Sequence, residues 1–148
     1  MIAAAPMTTS SRALTSGPAD RASPALAGAP RLLLRLEGGV VLAVAALAYS
    51  HSGHGCGLFA LWFLVPDLSM LGYLLGPRTG SATYNAGHSY VSPALLGLAG
   101  LAFAWPVAWP LAMIWAAHVG FDRLLGYGLK YGSAFGHTHL GRVGKARV

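Results

Sequence analysis

Acidic residues are scarce in this chain of 148 residues: four Asp and Glu stand against ten Lys and Arg. Charge of either sign is scarce too, at 9% of residues, where a soluble globular domain carries about 25%. With 55% of the residues hydrophobic, that shortage points away from a water-facing protein and towards a bilayer. One cysteine, Cys56, excludes an internal disulfide and any multi-cysteine zinc site. The length suits one domain. A net charge of +6 fits nucleic acid or a membrane surface, and the positions of the cations decide between them.

Residues 1 to 30 are rich in Ala, Ser and Pro and show no periodic apolar face, so they read as a disordered tail. They lack the apolar stretch of roughly 7–15 residues that a signal peptide needs. Residues 31 to 142 then form a membrane domain, and residues 143 to 148 a short basic tail. Within the domain four segments approach the roughly 20 apolar residues that cross a bilayer. They cover residues 32–50, 57–76, 86–103 and 107–125. The expected fold is all-α, an integral-membrane four-helix bundle with short connections between antiparallel neighbours.

Cationic residues favour the cytoplasmic side. With the N-terminus inside, Arg12, Arg21, Arg31 and Arg35 lie at or before the inner end of the first span, and Arg78 lies in the inner loop. Arg123, Lys130, Arg142, Lys145 and Arg147 close or follow the fourth. Neither outer loop holds a cation. Both termini are therefore expected in the cytoplasm, with the chain multi-pass in the cell (inner) membrane. The basic charge is topological, and no nucleic-acid partner is needed to explain it.

The remaining acids and histidines gather on that same side. If every span is α-helical, Asp67 lies roughly 13 Å from the inner surface, His118 roughly 10 Å, Glu37 roughly 7 Å, Asp122 roughly 5 Å and His88 roughly 3 Å. An ionisable group inside a span costs about 2.5 to 3.5 kcal/mol and by default marks function. His118 and Asp122 are four residues apart, so one helix face presents both. Imidazole and carboxylate at that spacing suit a divalent metal, with Zn, Mn or Fe the candidates, or a histidine with its orienting acid. The structural alternative is that His118 and Asp122 tie helices together, that Glu37 neutralises Arg35 or Arg31, and that His88 sits among head groups.

Other signals weigh less. Pro66 removes a helix hydrogen bond just before Asp67. Gly72, Gly76 and Gly80 are spaced for close helix approach, which would also permit a homo-oligomer. Gly128, Gly132 and Gly136 repeat the spacing in an interfacial or re-entrant segment. His137 and His139 lie in a loop that could fold back beneath the bundle. His51 and His54 lie in the outer loop, remote from the other ionisable groups.

The stretches "LRLEG" (34–38), "PDLSMLGYLLGPRTG" (66–80), "YNAGHSY" (84–90), "HVGFDRLLGYGLKY" (118–131) and "THLGR" (138–142) resemble a family of small bacterial membrane proteins classed as domain of unknown function number 4260. The resemblance covers residues 31 to 142 and implies a four-span fold, with no established activity. It picks out Glu37, Asp67, His88, His118, Asp122 and His139. A much weaker similarity joins Pro66-Asp67 and His88-Ser89 to inner-membrane metal-dependent hydrolases, although the second Asp of that motif is absent here.

The expected function is metal-dependent hydrolysis of a lipid or lipid-linked substrate at a cytoplasm-facing site. Asp67, His88, His118, Asp122 and His139 are the expected metal ligands. Glu37 is the expected general base, and Arg78, Arg123 and Lys130 the contacts to an anionic head group. The alternatives are a proton or ion relay, and a scaffold subunit in which the polar residues only specify helix pairing.

Overall fold

The structure is a computed structural model that describes residues 28–132 and 136–142. Its elements are α1 (Ala29–Ser50), α2 (Cys56–Phe63), a 3-10 helix (Val65–Leu75), α3 (Pro77–Gly87), α4 (Val91–Ala102) and α5 (Ala108–Leu125). Two short strands follow, β1 (His137–Thr138) and β2 (Gly141–Arg142). They pair antiparallel, His137 opposite Arg142 and Thr138 opposite Gly141, and Lys130 bridges to Thr138. The described chain is thus all-α apart from one small hairpin. The expectations for residues 1–27 and 143–148 lie outside the described residues.

Helix α5 is the axis of the molecule. Its side chains Ile114, Ala117 and Val119 are fully enclosed, and α1, α2 and α4 pack around it. The α1–α5 crossing is close because Gly38 and Gly120 face each other there. A Cβ on Gly120 would lie 2.6 Å from the Gly38 carbonyl and 2.8 Å from the Leu42 nitrogen. The outward surfaces are apolar: Leu47, Leu61, Leu74, Leu101 and Phe103 are all well exposed.

Two helical segments, Ala29–Ser50 and Cys56–Leu75, are long and apolar enough to cross a membrane. Four uninterrupted spans are not what the structure shows. The expected third span breaks at His88–Tyr90, between α3 and α4. Local chemistry explains the break. The His88 ring bonds back to the Tyr84 carbonyl, 3.0 Å away, and Ser92 Oγ donates to the Ala86 carbonyl. Pro93, without an N–H, sits in the first turn of α4. Helix α4 has 12 residues, below the roughly 20 of a full span. Helix α5 has 18 residues and carries His118, Asp122 and Arg123.

The second expected span is also not uniform. After α2 the chain tightens to 3-10 geometry for 11 residues, a long run for a form usually limited to a few. Pro66 opens it, and the Asp67 N–H bonds to the Leu64 carbonyl, three residues back. Gly76, with φ 112°, then turns the chain into α3. It is a turn glycine rather than a helix-face glycine. Gly72 and Gly80 provide the close packing, against Thr83 and Tyr73 respectively.

Candidate metal centre

The hairpin around Gly76 sets the site. Asp67 precedes that turn by nine residues and His88 follows it by twelve. At about 2.0 Å per residue in a 3-10 helix and about 1.5 Å in an α-helix, each lies about 18 Å from the turn. The two side chains therefore meet at one height. The depths expected from the sequence put them about 10 Å apart, because they assumed an α-helical rise and took residues 77–85 for a loop. These residues form α3.

His88 stands at the centre. Its Nδ1 lies 3.0 Å from the Tyr84 carbonyl, and a carbonyl only accepts, so Nδ1 carries the proton. The neutral ring then turns a lone pair on Nε2 into the site. That atom faces His118 Nε2 at 3.2 Å, Asp67 Oδ1 at 3.3 Å and Asp122 Oδ2 at 3.6 Å. His118 Nε2 and Asp67 Oδ1 are 3.7 Å apart. The ligand atoms of Asp67, His88 and His118 all lie within 4.8 Å of one another. Asp122 adjoins this group through His88.

These atoms fit a divalent cation. Neighbouring ligands of a tetrahedral ion bound at 2.0–2.1 Å are about 3.3 to 3.4 Å apart, close to the observed 3.2, 3.3 and 3.7 Å. Without a cation or an added proton, the two carboxylates and the His88 lone pair face each other with no hydrogen between them. His118 Nδ1 is buried with no hydrogen-bond partner, so a hydrogen bond between the two Nε2 atoms leaves that ring unsatisfied on its other side. The group can hold a metal.

The surrounding residues fix the rings. Tyr84 stacks on His88 with centroids 3.9 Å apart and planes 12° from parallel, and its hydroxyl donates to Asp122 Oδ2 at 3.3 Å. Phe63 meets His118 edge-on at 5.1 Å. Trp115 Nε1 donates to the Gly87 carbonyl at 2.7 Å, and Arg123 Nη2 to the His88 carbonyl at 3.2 Å. Both histidines are buried, whereas the Asp67 side chain is 47% exposed. The site opens on the Asp67 side.

Lys130 is buried as well. Its ammonium lies 4.0 Å from the centre of the Tyr84 ring and 5.3 Å from that of Tyr73. Burial pushes its pKa down, while the charges of Asp122 and Asp67 push it up. Asn85 clamps the Lys130 backbone: its Nδ2 donates to the carbonyl at 2.9 Å and its Oδ1 accepts from the N–H at 2.7 Å. Lys130 is thus an internal cation, not an outward head-group contact. Arg78 is exposed at the start of α3, and Arg123 braces the carbonyls of His88 and Tyr127.

Two other residues expected at the metal stand apart from it. His139 accepts a hydrogen bond at Nδ1 from the Leu129 N–H, at 2.9 Å, so its neutral ring carries the proton on Nε2. Burial, followed by the nearby Arg123, pushes its pKa down. It lines a cleft of about 560 Å³ together with Glu37, Arg123 and Tyr90. Glu37 therefore faces that cleft and is not in the three-ligand group.

Sequence reasoning missed Tyr84, Asn85 and Ser69, whose hydroxyl lies 3.4 Å from His88 Nδ1. A signal for Tyr84 was present, because it precedes His88 by four residues, one helical turn. None matches this chain among curated proteins or solved structures. The similarity to metal-dependent hydrolases therefore finds no support in those comparisons. The family described as Domain of unknown function (DUF4260) matches residues 31–143, and with most of its length inside that match the chain belongs to this family.

Proposed function

We propose that this is a multi-pass protein of the bacterial inner membrane that binds a divalent metal, Zn²⁺, Mn²⁺ or Fe²⁺, and hydrolyses a lipid or lipid-linked substrate. The observation that carries the reading is the arrangement at His88. Its Nδ1 proton is committed to the Tyr84 carbonyl, and its Nε2 lone pair meets His118 and Asp67 at 3.2 and 3.3 Å. A donor on the far ring nitrogen is how proteins orient a metal-binding imidazole. The membrane part is supported by the two long apolar helices, the exposed apolar surfaces and the one-sided placement of the cations.

Asp67, His88 and His118 hold the ion, and a divalent cation there supplies Lewis-acid polarisation of a carbonyl or phosphoryl oxygen. Asp122 is the nearest further carboxylate, 3.6 Å from His88 Nε2, and it takes the general-base role that the sequence suggested for Glu37. The Tyr84 hydroxyl orients it. Substrate reaches the centre past half-exposed Asp67.

The second reading is a proton relay. A run of polar contacts supports it, from the Tyr84 hydroxyl through Asp122 and His88 to Asp67, with steps of 3.3, 3.6 and 3.3 Å. The test is cleavage of a bacterial lipid extract by the purified protein in vesicles. The hydrolase reading expects water-soluble head-group release that chelator stops, added Zn²⁺ or Mn²⁺ restores, and His118→Ala abolishes. Stoichiometric metal with no cleavage would overturn hydrolysis, and cleavage indifferent to chelator would overturn the role of the metal.

A further inference from the structure

We infer that the cleft along α1, closed by Tyr90, Arg123 and His139, seats a phospholipid whose head group carries both a phosphate and a primary ammonium. The inference rests on the membrane part of the proposed function and not on the metal. The cleft has about 560 Å³ of space, with Leu33, Leu36 and Val40 as its apolar wall and Glu37, Arg123 and His139 as its polar end. The wall is open: Leu33 is 58% exposed, Leu36 54% and Val40 62%. Val44 and Leu47, equally exposed, continue it along one face of α1. From Glu37 to Leu47 that stripe runs about 15 Å, which matches the roughly 15 Å of one hydrocarbon leaflet. An acyl chain can lie along it with the head group at Glu37.

The charges at the polar end choose the head group. Glu37 and Arg123 line the same space, yet no ion pair joins them among the described residues. The acid therefore faces the cleft uncompensated on one side and the guanidinium on the other. Arg123 spends one N–H on the His88 carbonyl and one on that of Tyr127, which leaves donors to spare. His139, with Nδ1 occupied by the Leu129 N–H, presents Nε2–H as a further donor. Two donors for a phosphate and one carboxylate for an ammonium match a phosphoethanolamine head. A phosphoglycerol head offers Glu37 only hydroxyls, and a phosphocholine head offers it no N–H.

The experiment compares lipid retention by native mass spectrometry of protein taken from mixed micelles. The probes are phosphatidylethanolamine, phosphatidylglycerol and phosphatidylcholine with identical acyl chains. Phosphatidylethanolamine should be retained about fivefold to tenfold over each of the others, within the range of one net hydrogen bond exposed to solvent. Glu37→Gln should remove that preference while leaving phosphatidylglycerol unchanged, and Val40→Trp, which fills the cleft, should lower retention of all three. Gly57→Ala, at a position with nothing within 4 Å of the added Cβ, should keep the preference. Equal retention by the wild-type protein, a preference that survives Glu37→Gln, or one abolished by Gly57→Ala would overturn the assignment. Carbonate extraction of each variant reports membrane insertion separately, so a failure of the membrane reading is seen on its own.

Discussion

Tyr84 serves the site with both ends of its side chain: the ring stacks on His88 at 3.9 Å and the hydroxyl donates to Asp122. The two contributions separate by mutation. Tyr84→Phe keeps the ring over His88 and under Lys130 and loses one hydrogen bond, which should cost about 1 kcal/mol of stability. Tyr84→Ala removes a buried aromatic ring against which His88 and Lys130 rest, and about 3 to 5 kcal/mol is expected. Thermal unfolding in detergent measures both, and equal losses would show that the hydroxyl, not the ring, holds the site. Metal binding should also fall with pH. Ligand imidazoles must be unprotonated to bind, so protons compete with the metal and the affinity for Zn²⁺ should drop as the solution is acidified from pH 7 to pH 5. Binding that does not change over this range would remove the histidines as ligands.

Among elements, the α1–α5 crossing and the hairpin at Gly76 decide where the ligands stand. At Gly120 an added Cβ would press on backbone, the Gly38 carbonyl at 2.6 Å and the Leu42 nitrogen at 2.8 Å. Backbone cannot swing aside as a side-chain tip does. Gly120→Ala should therefore push α1 from α5 and destabilise the protein by about 1 to 3 kcal/mol. Gly57→Ala is the control: nothing lies within 4 Å of its Cβ position, and within helix α2 alanine should be neutral or stabilising by up to about 1 kcal/mol. A Gly120→Ala protein as stable as Gly57→Ala would contradict the close crossing. Lengthening the hairpin tests its register in the same way. One residue inserted after Gly76 should displace α3 against the 3-10 helix, separate His88 from Asp67 and abolish metal binding. Retained binding would show that the register does not set the site.

For the molecule as a whole, reporter fusions after Gly53 and after Gly80 should report opposite sides of the membrane, since the cations fall on the side of Gly80. The same side for both would overturn the topology. Much of the helical organisation was legible in the sequence. Helix α1 matched its expected span closely, because nothing interrupts its apolar run from Leu32 to Ser50 except Arg35 and Glu37 near one end. Asp67, His88 and His118 were legible as ionisable groups misplaced in apolar surroundings. Their meeting at one height was not, because it depends on a 3-10 rise that Pro66 hints at and no pattern specifies. The break at His88 was hidden for a similar reason: it is made by a ring-to-carbonyl bond and by Pro93, inside a stretch whose length and apolar content read as one continuous span. His139 and Glu37 were picked out beside the ligands, and their separate cleft required knowledge of which face of α1 meets α5. Lys130 read as an exposed cation because sequence cannot show two tyrosine rings closing over it.

The central claim is that Asp67, His88 and His118 act together on one ion, and the measurement that tests it most directly is bound metal per chain. Elemental analysis of the detergent-purified protein, prepared without chelator, should give close to one divalent ion per chain. His88→Ala, His118→Ala and Asp67→Asn should each lower metal affinity by more than the about 10–100-fold expected for residues that only support a ligand. Asp122→Asn, which adjoins the group through His88, should fall within that lesser range. Wild-type protein that carries no stoichiometric metal and gains no thermal stability from Zn²⁺, Mn²⁺ or Fe²⁺ would contradict the account.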